Sequence, residues 1–174
     1  MSIAIIRHGQ TDWNREGRLQ GIYNIPLNKE GIKQIRRLAG QMNGVKWDQI
    51  VTSPLKRAHE SAIILAEELK IEDVKIDSRL QERDFGSATG KILKVPEKGM
   101  NFAHYTMVES WDILQKRMID CIWEWTSQTQ YENILFVSHG TAIKALLEYI
   151  DPNLDEDIKN GKIIQIDKMV NSYR

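Results

Sequence analysis

The stretch Ser2-Ile3-Ala4-Ile5-Ile6-Arg7-His8-Gly9 sets the reading of the whole chain. Four consecutive apolar residues, three of them β-branched isoleucines, predict a short strand buried on both faces. The chain turns abruptly polar after Ile6, which puts Arg7 and His8 at the carboxyl end of that strand, with Gly9 relieving the backbone. In open parallel sheets, ligands bind at that edge. A guanidinium beside an imidazole is costly to hold there unless an anion compensates both. The pair therefore reads as a phosphate site with His8 as the attacking group. Taken alone, two solvated residues at a strand end would account for the stretch equally well.

The same pattern recurs. Asn133-Ile134-Leu135-Phe136-Val137-Ser138 is the strongest buried-strand signal in the chain, and His139-Gly140-Thr141 follows at once. Residues 47–52 predict another strand, closing at Ser53-Pro54, with Pro54 suited to the first turn of the helix that carries Arg57. Val74-Lys75-Ile76 reads as a short third strand and residues 162–167 as a late edge strand. Between them lie helical stripes. Asn28 caps one whose inner face is Ile32, Ile35, Ala39 and Met42, and Leu55, Ala58, Ala62, Leu65 and Leu69 form a second. Trp111, Leu114, Met118, Ile122 and Trp125 form a third, and Ala142, Ala145, Leu146 and Tyr149 a fourth. Strands alternating with helices predict an α/β three-layer sandwich, a mostly parallel central sheet with helices on both faces.

Residues 77–90 are irregular and charged, and residues 91–110 have no period and read as a lid or insertion. Its Met100, Phe102, Tyr105 and Met107 either line a substrate mouth or pin the loop to the body, the commoner role of such residues. The 174 residues predict a single domain over 1–174. With 24 basic and 24 acidic residues there is no bulk electrostatic hold on nucleic acid or anionic membrane. The one cysteine, Cys121, excludes an internal disulfide framework and suits a reducing compartment. No run approaches the ~18 apolar residues of a membrane span, and residues 3–6 are too short for a signal-peptide core. The expectation is a soluble cytoplasmic protein that binds a small molecule.

Carboxyl ends of parallel strands share one edge, so Arg7, His8, Arg57 and His139 converge there. Two guanidiniums and two imidazoles in one crevice call for a multivalent anion, and forked arginine donors match phosphate oxygens. Here the chain resembles the histidine phosphatase superfamily, in its phosphoglycerate-mutase-like branch. Arg7-His8-Gly9, with Thr11 and Asn14, resembles the opening motif, and Gln20-Gly21 the next segment. Ser53-Pro54-Leu55-Lys56-Arg57-Ala58 resembles the second motif, Leu80-Gln81-Glu82-Arg83 with Phe85-Gly86 the acid-bearing loop, and Ser138-His139-Gly140 the last.

The resemblance implies His8 as the nucleophile that becomes phosphorylated and Glu82 as the proton donor. It implies Arg7, Arg57 and His139 around the phosphoryl group with Asn14 assisting, and makes Gln20, Gly21, Arg83 and Gly140 candidate substrate contacts. The residue chemistry agrees. A histidine beside two guanidiniums is disfavoured as a cation, which frees a ring lone pair. The arginines, with a protonated His139, offset phosphoryl charge during transfer. A carboxylic acid can protonate the departing alkoxide and then, as carboxylate, activate water. No metal or other cofactor is required.

Two departures stand out: Asn24 where many members carry aspartate, and Ala88-Thr89 in place of bulkier or acidic residues. The short connection from Gly90 to Trp111 favours hydrolysis over mutase chemistry, which must retain a bisphosphate intermediate. A metal hydrolase is disfavoured because no His-Glu-x-x-His spacing exists. The sequence Gly86-Ser87-Ala88-Thr89-Gly90-Lys91 is one residue short of a phosphate-binding loop and puts Ile92 at the Ser/Thr position. His59 and His104 read as incidental. The rival from another class is a phospho-ligand binding module, which has no need of both His8 and Glu82.

Overall fold

The computed structural model describes residues 2–42, 44–92, 102–128, 130–153 and 156–167. Five strands form one sheet: β1 (Ser2–Arg7), β2 (Gln49–Thr52), β3 (Val74–Ile76), β4 (Asn133–Ser138) and β5 (Ile163–Gln165), in the order β3-β2-β4-β1-β5. The first four run parallel and β5 lies antiparallel on the edge of β1. The helices are α1 (Asp12–Arg15), α2 (Lys29–Gln41), α3 (Lys56–Leu69), α4 (Trp111–Ser127) and α5 (Gly140–Ile150). No helix among the described residues is long and apolar enough to cross a membrane.

The central strands alternate between two cores, as period-two side chains must. Ile3, Ile5, Ile134 and Phe136 face α4 and α5, where they meet Leu114, Met118 and Leu146. Ala4, Ile6, Leu135 and Val137 face α2 and α3, where they meet Ile35, Leu38, Ala62 and Leu65. Strands covered on both sides explain the unbroken apolar runs at residues 3–6 and 134–137. The three-layer architecture thus agrees with the sequence reading.

The structure shifts several details. The α3 helix starts at Lys56 with Leu55 at its cap, so Pro54 precedes it rather than occupying its first turn. Asn24 Oδ1 accepts the Lys56 N–H at 3.0 Å, which gives that side chain a structural task. Strand β2 begins at Gln49 rather than at residue 47. In α2 the inner stripe runs through Leu38, whereas Ile32 is only half-buried. In α5 the buried arc spans residues 141–143 and 145–147, which rotates Tyr149 to the surface at 47% exposure. Of the stretch expected to form a lid, Met100 lies outside the described residues. Phe102 and Tyr105 pack against a small cluster of Leu19, Phe85 and Ala88, so these two pin the segment to the body. Ala88, at a departure from the family pattern, is likewise a packing residue.

The chain leaves β1 toward α2 on one face of the sheet and leaves β4 toward α5 on the other. These strands are neighbours, paired from Ser2↔Asn133 to Arg7↔Ser138. Neighbouring parallel strands whose connections part to opposite faces open a crevice at their carboxyl ends. His8 and His139 are the residues that follow them.

Candidate active site

Gly9 and Gly31 let the polypeptide turn out of β1 tightly. A Cβ on Gly9 would lie 2.5 Å from the Gly31 carbonyl oxygen, and one on Gly31 2.2 Å from that of Gln10. Gly9 therefore answers a close approach of two backbone segments. Ser61 on α3 locks the turn, accepting the Gly9 N–H at 3.1 Å and donating to the Arg57 carbonyl at 2.7 Å.

His8 is 2% exposed, and its ring centroid lies 5.0 Å from that of His139, which is fully buried. His8 Nδ1 lies 2.7 Å from the Gly9 carbonyl oxygen, an acceptor only, so the ring proton resides on Nδ1. Nε2 then carries the lone pair, which accepts from Arg57 Nε at 3.2 Å. Burial, followed by the Arg57 and Arg7 guanidiniums, holds His8 well below the usual histidine range.

Arg57, in the first turn of α3, is 1% exposed. Its Nη1 donates to the Tyr23 carbonyl at 2.7 Å and its Nη2 to the Gly21 carbonyl at 2.8 Å. Burial pushes its guanidinium down to about 10, which leaves it charged at neutral pH. Gly21 thus grips the arginine through its backbone. Gln20 is buried and accepts from the Thr11 hydroxyl at 3.0 Å. Asn14 closes a capping box with Thr11 and accepts from Asn160 Nδ2 at 3.2 Å.

Arg7 donates from Nη1 to the Ile158 carbonyl at 2.6 Å, and its guanidinium lies against Gly140. A Cβ at position 140 would approach Arg7 Cζ to 3.1 Å, so a side chain there would displace the cation. His139 Nε2 lies 2.8 Å from Ser53 Oγ, which already accepts the Leu55 N–H. Donation by the Ser53 hydroxyl satisfies its proton and assigns the His139 proton to Nδ1. That Nδ1 is buried with no hydrogen-bond partner among the described residues, an arrangement suited to an oxyanion. Burial, then Arg57 and His8, also holds His139 well below the usual range. In this arrangement His139 is neutral at pH 7 in the ligand-free chain.

Glu82 is 8% exposed. Its carboxylate accepts the N–H groups of Arg83 at 2.8 Å, Ala142 at 3.0 Å and Thr141 at 3.2 Å, which seats it on the first turn of α5 beside His139. Arg83 donates to the Glu109 carbonyl at 2.9 Å and stacks against Phe102 and Trp111, so it braces the loop over residues 102–111.

Two positioning residues carry no motif signal. Arg117 on α4 donates to the carbonyls of Arg79, Gln81 and Glu82 at 2.6, 2.7 and 3.0 Å and forks onto Glu109 at 2.7 and 2.8 Å. It thereby clamps the loop that presents Glu82. Asn160 donates to the His8 carbonyl at 3.0 Å. An amphipathic-helix arginine and a surface-loop asparagine look ordinary in sequence; only tertiary contacts distinguish them.

The sequence and the fold also match those of known proteins. The family model for the histidine phosphatase superfamily (branch 1) matches residues 3–167. An uncharacterized phosphatase, PhoE, of Bacillus subtilis is 37% identical over 156 residues, covering 88% of this chain and 80% of its own. A 2,3-bisphosphoglycerate-dependent phosphoglycerate mutase of Thermoplasma acidophilum is 33% identical, covering 96% of this chain and 88% of its own. Among solved structures, phosphoserine phosphatase of Entamoeba histolytica with 3-phosphoglyceric acid superposes with a TM-score of 0.76 at 27% identity, over 94% of this chain and 89% of that one. The chain belongs to the histidine phosphatase superfamily (branch 1).

Proposed function

We propose that the protein is a phosphomonoester phosphatase that acts on small phosphorylated metabolites through a phosphohistidine on His8, without a metal ion. The observation that carries this reading is the state of the His8 ring: proton fixed on Nδ1 by Gly9, lone pair on Nε2, and a buried arginine beside it. A neutral, oriented imidazole is a nucleophile already deprotonated at pH 7.

Nε2 attacks phosphorus while the bond to the ester oxygen breaks. Arg57 and Arg7 balance the charge on the phosphoryl oxygens, and the His139 Nδ1–H donates to one of them. Glu82, as general acid, hands a proton to the departing alkoxide. As carboxylate it then takes a proton from water, whose oxygen attacks phosphorus and releases His8 and inorganic phosphate. The dianion that binds between His8 and His139 brings the charge that makes protonation of His139 favourable, so the imidazolium belongs to the liganded state.

A panel of phosphomonoesters tests this with wild type, His8→Ala and Glu82→Gln, together with acid-quenched trapping of labelled phosphate on the protein. Wild type should hydrolyse several esters and trap label, and the His8 variant should do neither. Full hydrolysis by His8→Ala would overturn the mechanism. Turnover of 3-phosphoglycerate only with its bisphosphate would place the protein with the mutases instead, the activity named for its Thermoplasma relative.

A further inference from the structure

Beside Glu82 a cleft of about 810 Å³ opens between the loop of residues 78–84, the segment 107–110 and the start of α4. His8 does not line it; the cleft and the histidine pair share Glu82. Ile22 also lines it, and its neighbours Gly21 and Tyr23 hold Arg57 by their carbonyls. Of the residues given a role in the reaction, Glu82 lines this space, and Arg57 is held by the residues on either side of Ile22.

The apolar lining is Ile22, Met107, Val108 and Ile113. Three of these are exposed to an extent that a mere packing role does not explain: Ile22 at 43%, Ile113 at 60% and Met107 at 87%. Met107 is also strained. It sits at φ 60°, in the left-handed region, and the segment is held there because Ser87 N–H donates to the Thr106 carbonyl and Thr106 N–H to Ser87 Oγ. Surrounding bonds thus hold at the edge of the cleft a backbone conformation that L-residues rarely adopt.

The charges decide what this space accepts. Two arginines line it, and each is committed. Arg79 forks onto Asp77 at 3.0 and 2.7 Å and reaches Glu124 at 2.7 Å. Arg117 is spent on Glu109 and on three loop carbonyls. Against these two cations stand three carboxylates in the lining, Glu82, Asp84 and Glu109. Among the described lining residues no cation is left to receive an anionic group.

We infer that this cleft is the leaving-group site and that it selects phosphomonoesters of uncharged, apolar alcohols over esters whose alcohol carries a carboxylate or a second phosphate. This deepens the phosphatase reading and rests on it. An alkyl or aryl group gains from covering Met107, Ile113 and Ile22, whereas a carboxylate there loses water and gains no partner.

The test compares phenyl phosphate with 4-carboxyphenyl phosphate, phosphomonoesters of two closely similar phenols. Wild-type kcat/KM should favour the phenyl ester at least tenfold, and calorimetric binding of both esters to His8→Ala should show the same preference without turnover. Met107→Lys and Ile113→Lys, both at exposed positions, should each shift the ratio at least fivefold toward the carboxylated ester. Equal or reversed preference in wild type, or a ratio that neither lysine moves, overturns the assignment of the cleft and leaves the phosphatase standing. A binding preference without hydrolysis of any ester supports the cleft and overturns the phosphatase; binding of neither ester overturns both.

Discussion

The two sides of the candidate site are built in opposite ways. On the side of the sheet, His8, Arg57 and His139 are each at most 2% exposed and every one is tied to backbone or a neighbouring side chain. On the outer side, Ile22, Met107 and Ile113 stand largely in solvent. Under the proposed function, the difference follows from what each side recognises. A phosphoryl group has one shape and one charge, so rigid, prearranged donors serve it without reorganisation. An alcohol moiety varies, and apolar contact is tolerant of shape.

The largest expected effect breaks the buried side outright. His8→Ala should lower kcat/KM by at least about 10⁴-fold, since nothing else in the cluster supplies a lone pair aimed beside the arginine. Residual activity within tenfold of wild type in a stopped assay would show that the ring only shapes the site. Arg57→Lys comes next. A lysine ammonium can replace the charge but not the fork that reaches His8 Nε2, Gly21 and Tyr23 together. Steady-state kcat should fall about 10²–10³-fold. Loss of carbonyl partners at Gly21 and Tyr23 should also cost about 1–3 kcal/mol in denaturant unfolding.

How far the sequence reached follows the same division. The apolar runs at residues 3–6 and 134–137 are legible because strands covered on both faces have no polar positions to confuse the pattern. His8 and His139 are legible because each stands immediately after such a strand. Arg57 is legible through the strand–Ser–Pro boundary before it, although the helix begins two residues after the proline. Gln20, Gly21 and Arg83 lie near the site and also bond to other protein groups, contacts that no one-dimensional pattern carries. Arg117 and Asn160 escape entirely because their targets are backbone carbonyls, and a carbonyl leaves no trace in the identity of its residue.

The protonation of the two histidines offers a test of burial that needs no substrate. Both are held below their ordinary value of 6.5 in the folded chain. Above about pH 6.5 the rings are neutral in both states, and they contribute no pH dependence. As pH falls below that, the unfolded chain binds two protons that the folded chain refuses, so stability drops by up to about 1.4 kcal/mol per proton and pH unit until the folded values are reached. Urea unfolding midpoints at pH 7.0, 6.0 and 5.5 should fall progressively, with a shallower slope in His139→Gln. A flat profile across that range would mean the rings are accessible to protons in the folded state. Asn160→Ala should do less, lowering kcat several-fold by loosening the His8 carbonyl and Asn14 while leaving KM near wild type.

The smallest effect is the sharpest for the outer side, because two observables should move in opposite directions. Met107→Gly removes a side chain from the left-handed region, where an L-residue costs about 1–2 kcal/mol. Glycine gives back about 0.5–1 kcal/mol through the freedom it adds to the unfolded chain. The folded state should therefore gain somewhat under about 1 kcal/mol, read as a small rise in the unfolding midpoint. The same change strips the apolar edge from the mouth, so kcat/KM for phenyl phosphate should fall about three- to tenfold through KM. A methionine held only by accident of packing would give a more stable protein with unaltered kinetics. A protein made more stable and worse at binding is one in which strain at this position is kept for the substrate.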